Sequence, residues 1–155
     1  ARMDSTTSLL GLALRAGRLA VGEEPVGAAC RAHKAYLLLL ACDAADNTIR
    51  RAHQFTQAGK TLCLTLPQSK EELGRCLGRG SCAMAALTDV GLAAAAAERL
   101  AQADPDTYGA ARDLLRQRAQ RAKRRRDEKH AHEKNLRRGK GKHAKRNNGP
   151  GGTRS

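Results

Sequence analysis

An α/β fold is predicted for this chain: a three-layer α/β/α sandwich with a mixed central sheet of about four strands, plus a basic C-terminal helix and tail. Two observations predict it. Apolar runs of strand length alternate with segments of helical periodicity, as expected when helices cover both faces of a sheet. The charge is also divided along the chain. Of 29 Lys and Arg and 15 Asp and Glu in 155 residues, 16 basic and 3 acidic ones fall in 116–155, a net of +13. The remainder is nearly neutral, at +1. The length suits one domain with chain to spare.

The elements follow in order. "DSTTSLLGLALRAG" offers hydroxyl and carboxylate caps, then Leu9, Leu10, Leu12 and Leu14, then Gly17 as a stop: a first helix. "RLAVG" is a short strand. "EEPVGAACRA" opens a helix with two acids and a proline in its first turn, where the proline forfeits no helical hydrogen bond. "AYLLLLAC" is apolar throughout, as for a strand covered on both faces. "NTIRRAHQFTQAG" is a helix ending near Gly59, and "TLCLTL" a strand. "SKEELGRCLG" has the capping-box spacing, Ser69 with Glu72 three residues on. "CAMAALT" is the last strand, and "DVGLAAAAAERLAQA" a helix capped by Asp89.

Pro105 then breaks the chain. Tyr108, Ala111, Leu115, Ala119 and Ala122 recur at helical spacing, a stripe able to lay a sixth helix on the body. Three regions result: a body over 5–104, a basic helical extension over 105–126, and a basic tail over 127–155 too polar to order itself.

Several classes of function fit poorly. No apolar run reaches the roughly 18–20 residues of a membrane span, and no secretion signal is expected at the N-terminus. The cysteines (Cys30, Cys42, Cys63, Cys76, Cys82) are odd in number and sit in apolar segments, which suits reduced, buried thiols of a cytoplasmic protein. No Cys-x-x-Cys pair suggests zinc, so no metal and no cofactor is expected. "AGKT" lacks the upstream glycine of a phosphate-binding loop and runs from helix into strand, the wrong order. "GRGSCAM" lacks the second glycine of a nucleophile elbow. Asp43 and Asp46 invite an acid or magnesium site, but a strand-to-helix junction needs side-chain acceptors, so both are expected to cap the next helix. His33 and His53 read as surface or boundary histidines. No catalytic residue is assigned, and the chain is expected to be no enzyme.

What the charge favours is a polyanion. Lys123, Arg124, Arg125, Arg126, Arg137, Arg138, Lys140 and Lys142 are expected to hold phosphates without sequence preference. An anionic membrane fits less well, for lack of apolar residues among them. Tyr36, Phe55 and Tyr108 are the only aromatics, too few and too scattered to stack bases.

"LLGLALRAGRLAVGEEPV", "AYLLLLACDAADNT", "SKEELGRCLGR" and "AALTDVGLA" together resemble a bacterial pattern, that of the YlxQ-like proteins. These belong to the superfamily typified by archaeal ribosomal protein seven-Ae and eukaryotic thirty-e. The resemblance runs in order from about Leu9 to Leu100 and leaves out the tail. It implies an α/β/α sandwich that binds structured RNA, often kink-turns. It also implies contacts from Gly22, Glu23, Glu24 and Pro25 on one side and Gly78, Arg79, Gly80 and Ser81 on the other. Where the best-known kink-turn binders carry Asn-Glu and a Lys three residues later, this chain has Glu24, Pro25 and Ala28.

The expectation is therefore a cytoplasmic, monomeric, ribosome-associated protein that binds structured RNA, with ribosomal RNA and ribosomal proteins as partners. The alternative is an adaptor that docks a protein while its basic tail alone holds nucleic acid.

Overall fold

The computed structural model describes the backbone of residues 5–148 and the side chains of residues 5–138. Ten elements follow one another: α1 (Ser5–Arg15), β1 (Leu19–Val21), α2 (Glu23–Arg31), β2 (Leu37–Leu40), α3 (Asp46–Gly59), β3 (Leu62–Thr65), α4 (Lys70–Cys76), β4 (Met84–Leu87), α5 (Val90–Ala103) and α6 (Pro105–Asn148). The predicted alternation is present throughout the body.

The sheet has the order β1-β4-β2-β3. β4 runs antiparallel to both neighbours, pairing Val21 with Ala85 and Leu40 with Met84, while β2 and β3 are parallel. It is a mixed sheet of four strands, as expected.

Strand alternation then sorts side chains to two faces. Leu37, Leu39, Ala85 and Leu87 join the core beneath α1, α4 and α5. Leu38, Leu40, Met84 and Ala86 join a second, smaller core with Val26, Cys30 and Ala52 of α2 and α3. All four β2 leucines are buried, which confirms the strand covered on both faces. Losing one such leucine to alanine typically costs about 2–5 kcal/mol.

Small residues let α2 and α3 approach closely. A Cβ on Gly27 would lie 2.8 Å from the Phe55 ring, and one on Gly59 would lie 2.5 Å from the Cys30 carbonyl oxygen. Gly59 thus serves packing, and the left-handed residue that ends α3 is Lys60, at φ 52°. Three helices end in the Schellman pattern, in which the two residues after the cap donate back to carbonyls of the last turn. In α1 these are Gly17 to Leu14 and Arg18 to Ala13, with Gly17 at φ 72°. In α2 the left-handed place falls on His33, at φ 56°.

Two expectations about the body change. Asp43 does not cap α3: that helix begins at Ala45 with no side-chain cap. The Asp43 carboxylate instead accepts from the Lys70 amide at 2.8 Å, at the start of α4. Parallel pairing of β2 with β3 ends both strands at the same edge of the sheet, so the nearest orphan amides are those of α4. The thiols are not all buried either. Cys30 and Cys82 are, Cys63 and Cys76 are half-buried, and Cys42 is exposed just past β2. Burial, with neighbouring Cys30 second, pushes the Cys63 thiol up to about 11, so it stays protonated at neutral pH.

α6 belongs to two compact units, which divide at Ala119. Its first turns are part of the body. Leu115 is fully buried and Tyr108 nearly so, both in the larger core, and the Tyr108 hydroxyl donates to the Thr65 carbonyl on edge strand β3. Arg116 pairs with Glu98 of α5. The docking stripe read from the sequence is real at those two anchors. Ala111, Ala119 and Ala122 are half-buried.

From Gln120 the second unit is helical through Asn148, past residue 126 where the sequence reading ended the helix. Most residues through Arg138 are good helix formers, Glu133 stands four before Arg137, and no proline intervenes until Pro150. Its side chains through Arg138 are exposed, apart from the half-buried Ala122. Lys123, Arg124, Arg125, Arg126, Arg137 and Arg138 are thus all open to solvent. The Lys140 and Lys142 side chains lie outside the described residues.

Candidate nucleic-acid interface

Two segments far apart in sequence meet at one edge of the sheet. β1 ends at Val21, and its antiparallel partner β4 begins at Met84. The Gly22 amide therefore donates to the Met84 carbonyl at 3.0 Å. The buried Cys82 thiol donates to the same carbonyl at 3.3 Å. One oxygen so joins the start of α2 to the loop leading into β4.

Gly22 is the N-cap of α2, at φ 95° and ψ 164°, a conformation natural to glycine and strained for any side chain. It supplies no side-chain cap, so the first-turn amides of α2 depend on their surroundings. Glu23, Glu24 and Pro25 form that first turn, and Glu24 and Pro25 are exposed. Glu23 is committed: Arg51 of α3 donates to its carboxylate at 2.7 Å. Both partners are partly exposed, so the pair contributes about 0–1 kcal/mol to stability. Its main effect is to hold α2 against α3 and leave Glu24 as the free acid of the pair. Ala28 is exposed one turn further on.

The second segment is shaped by α4. That helix starts on a full capping box, with Ser69 and Glu72 each accepting from the other's amide. It ends in a Schellman turn, Gly78 donating to Arg75 at 3.4 Å and Arg79 to Gly74 at 2.7 Å, with Gly78 at φ 72°. The Cys82 amide returns to the Lys70 carbonyl at 2.9 Å. A Cβ on Gly74 would lie 2.5 Å from Ser81 Cα and 2.7 Å from its nitrogen, so the 80–81 backbone rests directly on the helix. Between these ties Gly78, Arg79, Gly80 and Ser81 all face solvent.

The structure therefore brings together both groups named from the resemblance. It adds neighbours that sequence reading missed. The end of β2 lies beside the start of β4, the Ala41 amide donating to Ala83 at 2.9 Å. This places Asp46 and Asn47, at the start of α3, along the same edge, with Arg50 donating to Asn47 at 3.2 Å. The N-termini of α2, α3 and α4 thus share one edge. Those of α2 and α3 have no side-chain cap and direct amides and partial positive charge outward, while the first amides of α4 are taken by Asp43, Ser69 and Glu72. Such an edge suits phosphate oxygens. Arg79, Arg50 and Arg51 add cations, while Glu24 and Asp46 add acceptors for base amino groups.

The aromatics are scattered and build no stacking platform. Tyr108 is in the core, Phe55 packs on Gly27 with Arg31 6.0 Å from its ring centre, and Tyr36 alone is exposed. His33 and His53 are exposed. Among the described residues no group of three or more Asp, Glu, His or Cys is placed to hold a metal ion, and no helix is long and apolar enough to cross a membrane.

No family model matches the chain, and no curated protein does. Among solved structures, the fold is similar to a protein of unknown function from Bacillus halodurans. The identity is 26%, the TM-score 0.58, and the match covers 63% of this chain and 98% of the other. It is also similar to the Giardia lamblia 15.5kD RNA binding protein, at 17% identity and TM-score 0.50, covering 65% of this chain and 89% of that one. At that identity the second likeness speaks to the fold alone.

Proposed function

We propose that this protein binds structured RNA without catalysing a reaction, the body selecting the RNA and the basic helix adding affinity. The observation that carries the reading is that Gly22 and Cys82 bond the same Met84 carbonyl, which sets the start of α2 and the end of the 78–81 loop at one edge of the sheet. Two solvent-facing backbone segments, each shaped by glycine and held from behind, form a surface that fits close approach to an RNA backbone. The fold shared with an RNA-binding protein from Giardia lamblia supports it. The absence of catalysis is favoured by the use of Asp43, whose carboxylate is engaged with the Lys70 amide.

The target class is ribosomal RNA or a kink-turn-like fold, in a cytoplasmic, ribosome-associated setting with ribosomal proteins nearby; the sequence resemblance supports this part. Ala28 stands where the best-known kink-turn binders have a lysine, and Glu24 repels phosphate, so selectivity here depends on backbone amides and Arg79 rather than on that cation.

The test is binding of the full chain to a kink-turn RNA and to the same RNA with its G·A pairs disrupted, across a salt series. The intact fold is expected to bind more tightly. Arg79→Ala is expected to reduce that preference by roughly 1–3 kcal/mol, the usual worth of a specific contact. Equal affinity for both RNAs, with one shared steep salt slope, overturns selection by the body. It favours instead an adaptor whose basic helix alone holds nucleic acid.

A further inference from the structure

The second unit carries its charge in an arrangement that says how it meets its partner. From Gln120 to Arg138 there are nine Lys and Arg against three Asp and Glu, all exposed. An α-helix turns about 100° per residue. On that spacing Arg121, Arg125 and Lys129 form one side of the helix, and Lys123, Lys134 and Arg138 form the opposite side. The remaining three fill the flanks, so no gap between neighbouring basic positions exceeds about 60° around the axis. No apolar stripe accompanies them: Leu136 is the one large apolar side chain here, and it is 52% exposed.

A helix that lies on one surface needs its cations on one side. Only a limited arc touches such a surface, and the outer charges gain nothing from it. This helix has as many cations behind as in front. They repel one another as well, since Arg121 with Arg125 and Arg125 with Lys129 are like pairs at the i,i+4 spacing. An arrangement of this kind is neutralised when anionic charge stands on both sides.

We propose that residues 120–138 of α6 bind by insertion into a cleft of folded RNA with phosphates on both walls, not by lying on an outer surface. A major groove widened at a bulge or internal loop is one such cleft, since the regular A-form groove is too narrow for a helix about 10–12 Å across, and the space between two RNA helices packed side by side is another. An anionic membrane offers charge on one side only and also calls for an apolar face that this helix lacks. The inference rests on the RNA-binding reading above and adds the geometry of the bound helix.

Two double variants of the full chain test it, drawn from the same stretch of helix so that only their direction differs. Arg121→Gln with Arg125→Gln removes cations from one side; Lys123→Gln with Arg126→Gln removes a pair centred about 150° around the axis. Glutamine keeps the helix, which far-ultraviolet circular dichroism verifies. Each pair is expected to flatten the slope of log affinity against log salt for the kink-turn RNA, by about 1.4–1.8, two phosphate contacts' worth. One pair flattening the slope while the other leaves it unchanged means a one-sided surface and overturns the proposal. Both leaving it unchanged removes the helix from the interface and overturns it too. An unmodified chain with no affinity for either RNA overturns the functional reading, and this inference with it, and that result is seen before any variant is made.

Discussion

At the scale of single residues, much of the local chemistry is legible and the long-range chemistry is not. Ser69 and Glu72 are three apart, so their capping box can be read directly. Asp43 looks equally local, yet its amide partner is Lys70, because strand pairing and not sequence distance decides which helix start lies nearby. Arg51 follows Asp46 by five residues, yet its partner is Glu23, 28 residues earlier. The same scale holds a strained position. His33 takes the left-handed place in the Schellman turn of α2 at φ 56°, where a side chain costs about 1–2 kcal/mol that glycine avoids. Glycine returns part of this through the greater freedom of its unfolded chain. His33→Gly is therefore expected to stabilise the protein by about 0.5–1 kcal/mol. Ala32→Gly, one residue earlier at an ordinary φ of −83°, should destabilise it. Thermal melts of the two variants decide the matter: a midpoint for His33→Gly at or below the parent's would show that the turn carries no such strain.

At the scale of elements, alternation of strands and helices and the covered nature of β2 can be read from apolar patterning alone. The strand order β1-β4-β2-β3 cannot, because nothing local specifies which strands pair. The two halves of the candidate interface are about sixty residues apart in sequence, and only the antiparallel contact of β1 with β4 joins them. Resemblance to a family named these segments; periodicity had no access to them. Gly74 shows how one element shapes that interface. Its missing Cβ lets the backbone of Gly80 and Ser81 lie on α4, and a methyl group there meets backbone atoms that cannot rotate away. Gly74→Ala is thus expected to displace the 78–81 loop, reducing the preference for intact over disrupted kink-turn RNA while leaving the salt slope alone. Helix propensity acts in the other direction, favouring alanine by about 1 kcal/mol, so the net change in stability is small or destabilising. Amide spectra showing residues 78–82 unmoved in the variant would contradict this account of the loop.

At the scale of the whole chain, the neutral body and the basic stretch are evident from charge alone, but where the body ends is not. The resemblance stops near Leu100, and Pro105 looks like a boundary, so a body over 5–104 is the natural reading. The packing argues for a later one. Leu115 is fully buried in the larger core, and Tyr108 is buried with its hydroxyl on the Thr65 carbonyl. A chain ended at Asp104 leaves both places empty and frees an acceptor on an edge strand. By analogy with large-to-small substitutions, each loss costs about 2–5 kcal/mol, a large share of the stability of a small domain. A chain ended at Ala119 keeps both anchors and the Arg116 pair with Glu98. The shorter chain is therefore expected to melt at least ~10 °C lower or to fold incompletely, whereas the longer one melts close to the full protein. Equal midpoints for the two truncations would show that the first turns of α6 add nothing to the body. The burial of Leu115 requires the opposite: in this chain the first turns of the basic extension complete the core of the body, and Gln120 onward can be varied in charge without unfolding it.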